Sequence, residues 1–167
     1  MNGLDGSRRL ARPVRIALTK PLGSDIDGAW WPHTGSIASE LPELVGVLQQ
    51  SLGAVVDILI NWSVTEGPRD LNTFAAGQFV SGDPARRPRL MVVAGNDSIA
   101  TLLVVPHMTS DQLGSVVMRR SVAKPIQHPP QDTKLLQIAD AVMLAAQSES
   151  ARWSASRRAE AAPTKTS

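Results

Sequence analysis

The sequence predicts an α+β domain: an antiparallel sheet of about five strands with one or two helices on one face, plus a C-terminal helix. Three observations support this prediction. Short runs rich in β-branched residues alternate with turn signals, a long helical stripe of apolar residues begins at Ile37, and Gly95-Asn96-Asp97 separates two β-rich runs by the length of a hairpin turn. Consecutive strands with short links favour antiparallel pairing.

The first half of the chain predicts a strand, a loop and a helix. Apolar residues alternate over 14–19, which predicts a half-buried strand, and 20–28 is rich in proline and glycine and predicts a loop. A helix is predicted from Ser39 to Leu52, with Ser39 as N-cap and Pro42 in the first turn, where its missing N–H costs little. Gly53 is expected to end it.

The second half predicts four further strands and two helices. A strand is expected over 54–62, a weaker one over 71–80, and a hairpin from 89–94 and 98–105. The T-x-x-Q pattern of Thr109 to Gln112 resembles a capping box and predicts a short helix. The chain is therefore divided into five segments: a flexible basic N-terminus (1–12), an α+β domain (13–122), a Pro-rich linker (123–132), a C-terminal helix (133–158) and a disordered tail (159–167).

The C-terminal helix carries one apolar stripe, and Trp153 lies on the same face because it follows Leu135 by about five helical turns. Two interpretations remain open for this stripe. It docks on the open face of its own sheet, or it pairs with the same helix of a second subunit and makes a homo-oligomer. The residues expected to mediate such pairing are Leu135, Leu136, Ala139, Val142, Met143 and Trp153.

Composition limits the functional class. The chain of 167 residues has no cysteine, which excludes disulfides, thiolate nucleophiles and Cys-ligated metal sites. The first 20 residues lack the apolar stretch of a signal peptide, and no apolar run approaches the ~18 residues of a membrane span. We therefore expect a cytoplasmic protein with no membrane contact.

Charge is distributed unevenly along the chain. Residues 1–20 carry five basic groups against one acidic group, residues 21–150 carry eight against thirteen, and residues 151–167 carry four against one. An acidic body with basic ends differs from a dedicated DNA-binding domain, whose positive charge lies on the folded face. Solvated termini explain the pattern most simply; the alternative is an RNA- or ribosome-associated accessory protein that uses its basic ends.

The adjacent tryptophans Trp30 and Trp31 are the most informative local feature. Neighbouring side chains of an extended backbone point to opposite faces, so the two indoles are expected in different environments. One ring is expected to fill the core and the other to be a candidate for function. The predicted structural anchor is Gly28, Trp30 and Pro32, and the candidate binding groove is Asp27, Trp31, His33, Trp62 and Arg69.

Motifs for catalysis, metals and phosphate are weak. The histidines His33, His107 and His128 each adjoin a proline, and neither a G-x-S-x-G elbow nor a glycine-rich phosphate loop occurs. Asp25 to Gly28 resembles the start of a calcium loop but lacks the later ligands, so Asp27 is better interpreted as ordering the turn with its own side chain. Arg86, Arg87 and Arg89 form a basic loop that is solvated or contacts phosphate. No catalytic residue, metal site or cofactor is predicted.

Ile26 to Pro32, followed by Glu40-Leu41-Pro42 and Leu44, resembles the signature L-D-G-A-W-W-P-R-S and E-L-P-x-L of an uncharacterised family of small actinobacterial proteins. Trp62, Pro68-Arg69 and Leu102 to Pro106 extend the resemblance, which spans Val14 to Val122. Ile26 replaces the family's leucine, and His33-Thr34 replace Arg-Ser. The resemblance implies an actinobacterial, cytoplasmic context and no known activity.

The leading hypothesis is a non-catalytic cytoplasmic binding or interaction domain, with self-association through the C-terminal helix as one option. The nucleic-acid function described above is the second hypothesis. The third is a small enzyme with a site near Asp27, Trp31, His33 and Trp62.

Overall fold

A computed structural model describes residues 13–63, 71, 88–122 and 133–161. Five strands form a single sheet in the order β1-β2-β5-β4-β3. In chain order the elements are β1 (Arg15–Leu18), β2 (Gly28–Trp31), α1 (Ile37–Leu52), β3 (Val55–Ile60), β4 (Leu90–Gly95), β5 (Ile99–Val104), α2 (Asp111–Ser121) and α3 (Thr133–Ala161).

The sheet is mixed, and the prediction of a purely antiparallel sheet is wrong in this respect. β1 pairs with β2, β3 with β4 and β4 with β5 in antiparallel fashion, whereas β2 and β5 are parallel. β2 (Gly28–Trp31) was not among the predicted strands, and its first residue was assigned to a loop. Its second neighbour in the sheet is β5. The connection through α1 crosses the sheet, so that β3 lies at the far side and the β4–β5 hairpin lies between β2 and β3.

The hairpin itself is confirmed. β4 and β5 pair with Met91 opposite Leu102, and the Gly95 amide donates to the Ser98 carbonyl at 2.9 Å across the predicted turn. The weaker strand predicted over 71–80 lies outside the described residues except for Leu71, which is buried. The predicted N-terminus (1–12), linker (123–132) and most of the predicted tail also lie outside them.

The sheet buries both of its faces: α1 covers one, and α2 with the C-terminal helix covers the other. Trp30 packs with α1 through Leu44 and Leu48 on one side. Trp31 packs with α2 and α3 on the other side, where Leu113 and Val142 join its cluster. The alternation of adjacent side chains across a strand places the two indoles on opposite faces, in the different environments that were predicted. Both rings are buried, and α2 and the C-terminal helix together cover the second face.

The stripe of α3 is packed within its own domain. Ala139, Val142 and Met143 are buried against the sheet, and the partly buried members of the same cluster are Leu135, Leu136 and Trp153. Of the two interpretations left open by the sequence, the structure shows docking on the chain's own sheet. The residues expected to form a homo-oligomer are therefore occupied inside the protomer. The helix continues to Ala161, three residues beyond its predicted end.

The helix starts differ from the predicted ones. α1 begins at Ile37 with Ser36 at the N-cap position, so Pro42 lies inside the helix and not in its first turn. α2 is capped by Ser110 and not by Thr109, because the Ser110 hydroxyl accepts from the Leu113 amide at 3.3 Å. Gly53 ends α1 with a φ of 75°, a backbone conformation that favours glycine, as the sequence predicted.

None of the helices among the described residues has both the length and the hydrophobicity needed to cross a lipid bilayer.

Candidate functional site

Asp27 organises the loop before β2. It is almost fully buried, with 1% of its surface exposed. Its Oδ1 accepts from the Gly23 and Ser24 amides at 2.9 Å each, and its Oδ2 accepts from the Thr101 amide at 2.9 Å. The Asp27 amide donates in turn to the Thr101 carbonyl at 2.8 Å. The carboxylate therefore holds the 20–28 loop against β5, the ordering role that the sequence offered as the alternative to ligand binding.

The predicted anchor residues are all buried in β2 and its exit. Gly28 is required by close backbone approach, since a Cβ at this position would lie 1.8 Å from the Ala17 carbonyl oxygen of β1. Trp30 fills the α1 side of the sheet. The Pro32 carbonyl accepts from Arg15 Nη2 at 2.9 Å, so β1 also holds the exit of β2.

The four described residues of the predicted groove do not converge. Asp27 precedes β2 whereas His33 follows it, so they lie at opposite ends of the strand. Trp31 packs toward α2 and Trp62 toward the α1 side, so their rings face different layers. Trp31 is only 5% exposed and lies under the Arg15 guanidinium, 3.7 Å from its ring centroid. Arg69 lies outside the described residues.

His33 has a local partner. Its Nε2 lies 2.9 Å from the Pro13 carbonyl oxygen, which joins the exit of β2 to the start of the described chain. Of the residues predicted to form the groove, Trp31 and Trp62 therefore belong to clusters on different faces of the sheet.

A cavity of about 510 Å³ lies instead between the start of α1 and one edge of the sheet. β2, β5 and β3 run in the same direction, and their carboxyl ends meet at this edge beside the first residues of β4. The Val105 amide donates to the Trp30 carbonyl at 2.9 Å, which keeps the two parallel strands together where the cavity begins. The lining comprises Pro32, Thr34, Gly35, Ser36, Ile37, Ala38, Leu41, Ile58, Ile60, Trp62, Arg89, Met91, Val104, Val105, Pro106 and His107.

The wall of the cavity is mainly apolar. Its sheet side consists of residues that alternate toward α1, namely Ile58, Met91 and Val104, and Leu41 faces them from the helix. Trp62 adds an indole, and the Arg89 guanidinium lies 5.3 Å from the centroid of that ring. This combination of an apolar body with a few placed polar groups is typical of small-molecule sites.

Residues 14–121 match a family described as a family of unknown function, DUF5994. The chain belongs to this family. The DUF5994 region covers the elements from β1 to α2 and contains every residue that lines the cavity, whereas α3 lies outside it. The sequence resemblance to a family without a known activity is confirmed. Comparison with curated proteins and with solved structures yields no match.

Sequence reasoning missed most of the site in the DUF5994 region. Among the described residues of the predicted groove, only Trp62 lines the cavity, together with Pro32 from the predicted anchor. Arg89 was noted only as part of a basic loop, and His107 only as a histidine beside a proline. The rule that ligands bind outside the carboxyl ends of parallel strands locates the cavity, but its use required the parallel pair that the sequence did not predict.

Two weak features of the sequence, the segment from Asp25 to Gly28 and the basic ends, concern metal and nucleic-acid binding. Within the described ranges, no group of three or more His, Asp or Glu is placed to hold a metal ion. Three basic residues near the end of α3 contact their own helix: Arg152 pairs with Glu149, the Arg157 guanidinium lies 4.7 Å from the Trp153 ring centroid, and Arg158 Nε donates to the Ser154 carbonyl.

The loop that forms one wall of the cavity is held by Glu40. Its Oε1 accepts from the His33 amide, and its Oε2 accepts from the Thr34 amide and hydroxyl, each at 2.7 Å. Partial burial is the largest single influence on the Glu40 pKa and raises it. The hydrogen bonds from Thr34 and His33, with the charge on His33, together outweigh burial, so the pKa lies below the usual 4.5.

Glu40→Gln is expected to change how stability depends on pH. Because the folded pKa is depressed, the carboxylate stabilises the fold above pH 4.5, and this contribution is lost as the pH falls from there through the folded pKa. The variant should therefore be less stable than the wild type at neutral pH and converge with it in acid. Urea unfolding at a series of pH values measures both curves.

Glu43→Gln, an exposed position on the same helix, is the control for the Glu40 experiment. It removes the same charge without touching the 33–36 loop. A gap between Glu40→Gln and wild type that stays constant from neutral pH to about pH 3 would contradict the assignment, because a lost carboxylate contribution must vanish once the wild-type carboxylate is protonated.

Proposed function

We propose that the DUF5994 domain of this protein binds a small ligand with an apolar body in the cavity between α1 and the sheet edge. The single observation that carries the proposal is the cavity itself, whose volume of about 510 Å³ falls in the range of ligand pockets, roughly 300–1,000 Å³. The sequence also favoured a binding function, but it placed the ligand in the candidate groove that includes Asp27 and Trp31. The proposed site is instead the cavity beside α1.

Two further features support a preformed site. Its walls belong to a continuous sheet and a 16-residue helix, and the buried side chains beneath them, such as Leu44 and Leu48, are fully enclosed. The 33–36 loop is ordered by three hydrogen bonds to Glu40. A site on rigid elements loses little conformational entropy on binding, which favours affinity.

An uncharged fluorescent probe tests the proposal. N-phenyl-1-naphthylamine has an apolar body and no charge, and its emission rises in apolar surroundings. We expect saturable binding to the wild type. Ile58→Trp should weaken that binding at least tenfold, because the indole would occupy the space between the sheet and Leu41.

Val56→Trp is the matched control for the filled cavity. Val56 lies two residues earlier on β3, beside an irregularity in the pairing with β4, is 65% exposed and does not line the cavity. It should bind the probe as the wild type does. Non-saturable binding, or equal binding by the two tryptophan variants, would count against a ligand site here. Far-UV circular dichroism and a thermal melt confirm that each variant is folded.

A further inference from the structure

The permanent charge in the cavity lining is positive. Arg89 supplies it, His107 adds an imidazole that can donate a hydrogen bond, and none of the described lining residues is acidic. The nearby carboxylate of Glu40 is directed to the amides of His33 and Thr34 and is not part of the lining. A cavity with an apolar body and a cationic end is complementary to an anion that carries an apolar group.

The backbone at Arg89 is fixed on both sides. Asn61 Nδ2 donates to the Pro88 carbonyl at 3.0 Å, and Asn61 Oδ1 accepts from the Leu90 amide at 2.8 Å. The Arg89 carbonyl itself accepts from the Val104 amide at 2.9 Å. Asn61 also donates to Glu149 of α3 at 3.2 Å. Arg89 thus lines the cavity from a fixed backbone, with its guanidinium beside the Trp62 ring.

His107 and the N-terminus of α1 also favour an anion in the cavity. The His107 imidazole lies against Gly35, where an added Cβ would be 3.2 Å from Cε1. The first residues of α1 line the cavity, and the helix dipole at an N-terminus favours negative charge. Arginine matches a carboxylate through two parallel N–H donors, a geometry that a single apolar surface does not provide.

We propose that the ligand of this cavity is an amphipathic monocarboxylate, with its carboxylate facing Arg89 and His107 and its apolar body on Ile58, Met91 and Val104. This inference rests on the proposed function and adds the chemical class of the ligand. One negative charge on an apolar body fits the lining, in which the Arg89 guanidinium and the His107 imidazole stand against a predominantly hydrocarbon surface.

Three compounds that share one apolar tail test the class. Octanoate, 1-octanol and octylamine are used to displace N-phenyl-1-naphthylamine from the full chain at pH 7. We expect octanoate to compete at least tenfold more strongly than octanol, and octylamine to compete least. Octanol competing as well as octanoate would overturn the monocarboxylate assignment while leaving the cavity as a ligand site. Failure of the wild type to bind the naphthylamine would overturn the site itself.

Arg89→Met tests whether Arg89 causes the preference for octanoate over octanol, because methionine keeps an unbranched side chain and lacks the charge. The variant should still bind the naphthylamine but lose most of the preference for octanoate over octanol. Arg119→Met, at an exposed position on α2, is the control and should keep it. His107→Gln supplies a second reading if Arg89→Met does not fold, with an expected drop of several-fold in the same ratio. An unchanged ratio in the folded cavity variants would overturn the proposal.

Discussion

Trp30→Ala is expected to lower the free energy of unfolding by about 3–5 kcal/mol, the cost of removing a large aromatic side chain from a packed core. Trp30 is 2% exposed and packs among Leu44, Leu48 and Val104 on the α1 side of the sheet. Its removal leaves a cavity at the junction of β2, β5 and α1, where the surrounding elements are fixed by strand pairing. Urea unfolding followed by far-UV circular dichroism measures the loss, since tryptophan fluorescence changes with the substitution itself.

Trp62→Ala is the control for this substitution. Trp62 packs against the same cluster but is only partly buried at the mouth of the cavity. Its replacement removes less apolar surface from the core and should cost about 1–2 kcal/mol. A Trp30→Ala variant no less stable than Trp62→Ala would contradict the placement of Trp30 at the centre of the α1 core. Comparable m-values in the two variants show that the difference lies in stability.

Gly114→Ala is expected to destabilise the protein by about 1–3 kcal/mol, the range observed for overpacking a core. A Cβ at Gly114 would lie 2.2 Å from Cη2 of Trp31, whose ring is 5% exposed. The same ring is covered by Arg15, whose Nε donates to the Trp31 carbonyl at 3.1 Å. α2 must therefore move away from the sheet or the indole must leave its position.

Gly46→Ala separates this clash from helix propensity. Gly46 lies in the interior of α1, and a Cβ there meets no atom within 4 Å. Replacing a helical glycine by alanine should stabilise the protein by about 0.5–1 kcal/mol. Opposite signs at the two glycines are the expected outcome. If Gly114→Ala stabilises as Gly46→Ala does, the contact between α2 and Trp31 is wrong; in a Trp31→Ala background the penalty at Gly114 should disappear.

Local periodicity was sufficient to predict several parts of this protein. The hairpin of β4 and β5 follows from two β-rich runs around Gly95-Asn96-Asp97, and α1 follows from its apolar stripe and Gly53. The stripe of α3 predicted the buried face of that helix. Alternation along an extended backbone predicted that Trp30 and Trp31 would face different environments. Each of these features depends on residues close together in the chain.

The helix starts show where local rules compete. Ser39 and Thr109 are both residue types that favour the N-cap position. The structure nevertheless begins α1 after Ser36 and α2 after Ser110. At α1 the deciding contact is the Glu40 carboxylate, which binds the His33 and Thr34 amides and organises the chain before the helix. The residue at which a helix starts therefore depends on the path of the preceding chain as well as on the preference of each residue type for the N-cap position.

By itself, the sequence determined the main helices, the hairpin and the separation of the paired tryptophans, because these follow from spacing within short segments. Only the tertiary structure decided that β2 lies parallel to β5, that helices cover both faces, and that Arg89 and His107 share a cavity with Trp62. The physical reason is the same in each case. Gly28 pairs with Leu102, and the ends of β2, β3 and β5 meet at one side of the sheet. These are contacts between segments that lie far apart in the chain. No periodicity within a single segment encodes which partner is adopted.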